Sequence, residues 1–97
     1  MFARLTAGQM KTDRLDEAVK LYKESVLPLG KQKKGRCGTY YLIDRTTGKT
    51  VVISLWDSEE EAIATEQSGY YQEQVNKFKD FYIGAPVREG YEVSVQV

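Results

Sequence analysis

The chain contains no histidine, and that absence removes most of the common catalytic options. Imidazole bases, histidine-ligated zinc, proximal-histidine haem and Ser-His-Asp or Cys-His arrangements all need the missing side chain. Cysteine is almost absent too: Cys37 stands alone, so no intrachain disulfide forms. Any catalysis therefore rests on Tyr, Asp, Glu, Lys, Arg, Cys37 or the substrate's own reactivity, and no cofactor or metal is expected. No apolar run approaches the roughly 20 residues that span a bilayer. The segment Met1-Phe2-Ala3-Arg4-Leu5 lacks the basic-then-apolar layout of a signal peptide. A cytoplasmic location with no membrane partner is the resulting expectation. Net formal charge is zero, from 14 basic and 14 acidic side chains. That balance argues against a nucleic-acid partner, whose affinity comes largely from phosphate neutralisation.

With 97 residues, 41% hydrophobic and 29% charged, the chain reads as one ordinary globular domain over residues 1–97. The charge is unevenly placed. Residues 1–50 hold 11 basic and 5 acidic side chains, and residues 51–97 hold 3 and 9. Lys31, Lys33, Lys34 and Arg36 form the only basic cluster. It reads as a solvated loop after a helix whose C-terminal carbonyls welcome cations; an anion-binding lip on a pocket is the sharper alternative.

What is present is strongly patterned. In Thr50-Val51-Val52-Ile53-Ser54-Leu55-Trp56-Asp57-Ser58-Glu59-Glu60-Glu61-Ala62, a β-branched run reaches the only tryptophan and a helix start follows at once. Ser58 with Glu61 has the spacing of a capping box, and Glu59, Glu60 and Glu61 suit the positive end of the helix dipole. Upstream, Phe2 to Ala7 reads as a first strand and Gly8 to Thr12 as a loop. Leu15, Ala18, Val19, Tyr22, Val26 and Leu29 then share one helical face. Thr12 or Asp13 is the expected cap and Pro28 with Gly30 the expected stop. Gly38 to Asp44 reads as strand two, Asp44 to Lys49 as a turn, and Thr50 to Trp56 as strand three. Gly69 breaks or bends the second helix, after which Tyr71, Val75, Phe78 and Tyr82 share a face. Val87 to Val97 alternates as a last strand.

The order βαββαβ is the split ferredoxin-like motif. Right-handed crossovers place both helices on one face of an antiparallel sheet. Strand three is apolar on both faces, so the uncovered face needs a partner, and a homodimer packed sheet against sheet is the simplest one.

These residues resemble a known family. The βαββαβ order, the passage from Pro28 to Gly35-Arg36-Cys37-Gly38, and Leu55-Trp56-Asp57-Ser58-Glu59-Glu60 are similar to the antibiotic biosynthesis monooxygenase (ABM) superfamily across essentially the whole chain. The resemblance implies a ferredoxin-like α+β domain forming a homodimeric α+β barrel, with a pocket between helices and sheet. Some such proteins oxidise polyphenolic or quinol substrates with O2 and no cofactor, and others degrade haem. Trp56 matches the family's pocket tryptophan. The asparagine that cofactor-free oxygenases place four residues before it is Val52 here, and their tyrosine six residues after it is Ala62. The histidine of haem-degrading members falls at Glu66, so haem chemistry is not expected.

Candidate site residues follow. Trp56, sharing a strand face with Ser54 and Val52, either closes the core or forms an aromatic wall on which a flat ligand stacks, and the two roles are compatible. Glu66, two turns into the second helix, is a solvated carboxylate unless it faces the sheet, where it becomes a candidate general base for a phenolic proton. Arg4 on the first strand supplies a structural ion pair or a grip on an anionic substrate. Tyr40 and Tyr41 point to opposite faces, so at most one lines the pocket; Tyr40 and Tyr70 are taken as lining residues, with Ser54. Cys37 reads as a small buried residue. The expected function is binding of a compact aromatic or quinone-like molecule with possible cofactor-free oxygenation, and the alternative is a non-catalytic binding or dimerisation module.

Overall fold

A computed structural model describes all 97 residues. In chain order the elements are β1 (Phe2–Gln9), a 3-10 turn (Thr12–Arg14), α1 (Leu15–Leu21), a π-helical turn (Tyr22–Val26), α2 (Leu27–Gly30), β2 (Arg36–Ile43), β3 (Lys49–Trp56), α3 (Glu59–Gln67), α4 (Tyr70–Lys77) and β4 (Val87–Glu92). The four strands form one sheet in the order β2-β3-β1-β4, every pair antiparallel. This is the ferredoxin-like α+β arrangement that the element order predicts. No helix is long and apolar enough to cross a membrane.

Alternation sorts the sheet into two faces. Register pairs Phe2 with Trp56, Arg4 with Ser54 and Thr6 with Val52, so these six share the face under the helices. The larger core cluster there joins Met10 to Leu15, Ala18, Tyr22, Val26, Phe78 and Phe81, with Tyr41 and Val52 packed from the sheet. Phe2, Trp56 and Ala62 form a smaller one at the other end. Only 16 of 97 residues are buried, because the second face has nothing on it. That face carries three rows across the strands: Leu42, Val51, Ala7 and Val87; Tyr40, Ile53, Leu5 and Glu89; Gly38, Leu55, Ala3 and Tyr91. Glu89 is their only charge.

Several element boundaries differ from expectation, each for a local reason. β1 continues through Gly8 and Gln9 because Thr50 and Lys49 extend β3 far enough to pair with them. Neither Thr12 nor Asp13 caps the first helix, which enters through a 3-10 turn without a side-chain cap bond. Pro28 does not stop that helix. The Leu27 N–H bonds the Tyr22 carbonyl five residues back, and the wider π turn makes room for a ring that has no N–H and would otherwise crowd the preceding turn. The capping box is half formed: Ser58 Oγ accepts from the Glu61 N–H at 3.3 Å, while Glu61 Oε2 lies buried with no partner. β4 ends at Glu92 instead of Val97, since its partner β1 runs out at Phe2, and Val95 is left 83% exposed.

Gly48 and Gly69 separate two costs of adding a side chain. Both hold positive φ, at 83° and 88°. A Cβ on Gly48 would run into the Met10 carbonyl oxygen, whereas one on Gly69 meets nothing within 4 Å. Gly69→Ala should therefore cost only the backbone strain, about 1–2 kcal/mol, and Gly48→Ala at least about 1 kcal/mol more. Urea melts of the two variants check the order, and equal losses would refute it.

Candidate functional site

A cavity of about 90 Å³ lies between the helices and the sheet, and 12 of its 19 lining residues are hydrophobic. Arg4 and Thr6 of β1 with Val52, Ser54 and Trp56 of β3 line it from the sheet side. Trp56 is 4% exposed. Its indole Nε1 donates to Ser54 Oγ at 3.1 Å, and that hydroxyl donates onward to the Arg4 carbonyl at 3.4 Å. The indole thus closes the small core cluster and walls the cavity together. Val52, Ala62 and Glu66, the positions at which the chain departs from the family's pocket residues, all line it too.

Glu66 faces the sheet and is no solvated carboxylate. With 13% of its side chain exposed, it lies between two arginines. Arg4 Nη2 donates to Oε1 at 2.6 Å and Arg88 Nη1 to Oε2 at 2.5 Å. Burying a lone carboxylate is costly, and partners on β1 and β4 supply the compensation. Each arginine is also held over an aromatic ring, Arg4 over Phe2 and Arg88 over Tyr71, both at 5.0 Å. Arg4 retains a buried Nε–H with no acceptor. Two guanidinium groups around one carboxylate leave this end of the cavity positive.

Arg36 adds a further cation at the other end, and it has no carboxylate partner. It packs 5.2 Å from the Trp56 ring and donates to Thr39 Oγ1 from Nε at 3.1 Å and Nη2 at 2.6 Å. The sheet turns it inward through a break in register: Arg36 pairs with Trp56, but Gly38 pairs with Leu55, so Cys37 is the extra residue of a bulge. Beyond the bulge, parity is reversed. This corrects the placement of Tyr40, which points to the uncovered face and is 58% exposed. Tyr41 lines the cavity instead, edge to face with Tyr22 at 4.9 Å.

The helices close the cavity with Tyr22 and Val26 from the π turn and with Tyr70, Tyr71, Gln74 and Phe78 from α4 and its end. Burial pushes the phenols of Tyr22, Tyr41, Tyr70 and Tyr82 above their ordinary value, with Arg36 opposing the shift at Tyr22 and Tyr70. At neutral pH these groups are O–H donors and not bases. Tyr71 is tied to Thr6, hydroxyl to hydroxyl at 3.0 Å. Gln74 is 6% exposed, and neither its Nε2 nor its Oε1 has a partner. The sequence carries a signal for it: Tyr71, Gln74, Val75 and Phe78 fall on one helical face, and an amide on an apolar stripe marks a polar group sent inward. Lys31, Lys33 and Lys34 do not line the cavity; Lys33 caps the Tyr70 ring from outside at 4.3 Å. No cluster of three His, Cys, Asp or Glu side chains is placed to hold a metal ion.

No family model matches the chain. The uncharacterized protein Rv2557 of Mycobacterium tuberculosis strain H37Rv is 36% identical over 55 residues, 57% of this chain and 25% of that protein. The uncharacterized protein MT2634 of strain CDC 1551 aligns equally. The match thus spans about a quarter of the length of these curated relatives. Solved structures align over nearly all of the chain. A crystal structure of an antibiotic biosynthesis monooxygenase superposes with a TM-score of 0.76 at 14% identity, covering 98% of this chain and 100% of that one. The ActVA-Orf6 monooxygenase of Streptomyces coelicolor, in complex with nanaomycin D, gives 0.78 at 15% identity over 99% and 89%. The haem degrader MhuD of Mycobacterium tuberculosis, with two haems bound, gives 0.79 at 14% identity over 100% and 99%. The chain has the fold of the ABM proteins, as its sequence pattern implies.

Cys37 is exposed, contrary to the expectation of a buried residue. Its thiol donates to Asp57 Oδ1 at 3.0 Å, and the Gly35 carbonyl lies 3.3 Å away as the alternative acceptor for the one S–H. The hydrogen bond to Asp57, then desolvation and the carboxylate's charge, hold the thiol above its ordinary value. The thiolate is the reactive form, so Cys37 is a poor nucleophile despite its access to solvent. Asp57→Ala should lower the thiol toward its ordinary range and speed alkylation by iodoacetamide at pH 8 severalfold. An unchanged rate would show that Asp57 does not control it.

Proposed function

We propose that this protein binds a compact aromatic or quinone-like molecule between its helices and its sheet, and acts on it as a cofactor-independent monooxygenase. The convergence of an indole wall, tyrosine O–H donors and an excess of guanidinium over carboxylate on one apolar cavity carries the reading. Positive charge beside a phenolic hydroxyl favours its ionised form, and an ionised, electron-rich ring reacts directly with O2. Glu66 is the one carboxylate on the cavity wall and is the candidate acceptor of the phenolic proton. The raised phenols make the tyrosines unsuited to that task. Trp56 stacks on the ring, and the protein contributes orientation and exclusion of water. Ligand-bound neighbours of the same fold support a small-molecule site, although one fold hosts many chemistries.

The second reading, a non-catalytic binding or dimerisation module, draws on two observations. The cavity is small, and both oxygens of Glu66 are already engaged by arginines. Either reading includes a homodimer formed by packing the uncovered sheet faces. Tyr40, Leu42, Val87 and Tyr91 are each about half exposed or more in the single chain, a contiguous apolar surface of the kind that marks an interface.

Titration with quinones and polyphenols, followed by Trp56 fluorescence, should give saturable quenching by one class; no response from any would refute the aromatic site. On the class that binds, Glu66→Gln lowers stability by unpairing Arg4 and Arg88, so in samples still folded and still quenched by ligand it should lower oxygen uptake by about 100-fold or more. Retained turnover would remove Glu66 from the chemistry. In sedimentation the wild type should run at twice its 11.1 kDa chain mass, and Ile53→Lys, at the centre of the apolar rows, should run as a monomer. A monomeric wild type would refute the dimer.

A further inference from the structure

Gln74 is the one cavity residue whose polar atoms have no protein partner at either end. Its side chain is buried on α4, its Nε2 donates to nothing and its Oε1 accepts from nothing. Buried amides are nearly always hydrogen-bonded, because the desolvation of both atoms goes uncompensated otherwise. A leucine would fill an apolar position on this face at lower cost. Its surroundings also leave it available, since Tyr71 beside it is already tied to Thr6 and Phe78 one turn on is a core ring. The unmet capacity of a glutamine is specific in shape: an acceptor and a donor side by side in one plane. Its complement is a ligand edge with a donor and an acceptor on adjacent atoms, the pattern by which glutamine reads adenine bidentately.

Building on the aromatic-site reading above, we infer that Gln74 is a specificity-determining residue of the cavity. It selects compact single-ring or fused-ring molecules that carry a hydrogen-bond donor next to a carbonyl, as in a lactam. The ring lies against Trp56, its donor–acceptor edge meets the Gln74 amide, and Arg36 and the Arg4 Nε–H remain for further oxygens. An isostere that cannot pair with the amide forfeits the one to two net hydrogen bonds that the lactam edge gains.

The test uses 2-pyridone and 2-pyranone, rings of the same shape in which N–H is replaced by O, with phenol as a third ligand. Binding to the uniformly 15N-labelled chain is read from the Gln74 side-chain amide and Trp56 indole resonances. The wild type should bind 2-pyridone about tenfold more tightly than 2-pyranone, the value of one to two net hydrogen bonds, and only 2-pyridone should shift the Gln74 amide protons downfield. Gln74→Leu should bring the two ligands within about twofold of each other. It should also leave the free protein as stable as the wild type or raise its melting temperature. Gln74→Met serves the same purpose should the leucine variant fail to fold. If Trp56 responds to all three ligands but 2-pyridone has no advantage, or the advantage survives in Gln74→Leu, the role of Gln74 is overturned and the aromatic site stands. If no ligand moves either resonance, the role of Gln74 is overturned, and the quinone and polyphenol titration decides the aromatic site separately.

Discussion

The placement of Glu66 between Arg4 and Arg88 is the interaction on which the site's architecture depends. Helix α3 has little apolar purchase on the sheet: Ala62 is its one buried residue, packed against Phe2 and Trp56. A carboxylate on the same helix, bridged to β1 and β4 at once, fixes the helix at a height that three apolar residues do not fully close. The gap that remains is one end of the cavity. The same cluster fixes its charge, because the partners outnumber the carboxylate. Removing the acid would leave two partly buried cations facing each other, which is more costly than losing the pair.

Two interruptions of regular periodicity complete the cavity, and both fall on its wall. The bulge at Cys37 lets Arg36 and Tyr41 face the same side of the sheet although their numbers differ by an odd count. The π turn lets Tyr22 and Val26 line the space while Pro28 is carried within the rod. Irregularities of this kind are costly locally, and they gather where side chains must be aimed and not merely packed.

This division explains how much of the molecule was legible in its sequence. Much of what rests on periodicity could be read: the βαββαβ order, the Ser58 start, the break at Gly69, the shared face of Val52, Ser54 and Trp56. Those signals are local, and the fold keeps them; the cap at Thr12 or Asp13, the stop at Pro28 and the strand end at Val97 yielded to the π turn and to the length of β1. Tyr40 was misplaced because a bulge leaves no mark in an alternating pattern until the register of its partner strand is known. Arg88 was missed because its role exists only through Glu66, 22 positions away on another element. The inward direction of Glu66 was likewise hidden, since an acidic helix gives no sign of which carboxylate has found cations. Gln74 was legible in principle, as an amide on the stripe formed by Tyr71, Val75 and Phe78.

The size of the cavity then bears on whether it holds a ligand or is filled by the protein's own rings. About 90 Å³ is less than the roughly 150 Å³ of an apolar cavity that takes benzene, so a ligand ring must displace part of the wall. The sheet side cannot yield, because β1 and β3 are paired along both edges. The helix side can: α4 follows Gly69, around which a side chain would meet nothing within 4 Å, and much of what it presents is tyrosine. Exchanging a tyrosine ring for a ligand ring conserves most of the buried aromatic contact, so apolar terms nearly cancel between the two states. The balance passes to polar atoms. In the closed state the Gln74 amide and the Arg4 Nε–H have no partners, and Arg36 has no counter-charge. A molecule that brings oxygens or a lactam-like edge into the cavity pairs with each of these groups, and on the proposed reading that gain favours the filled site.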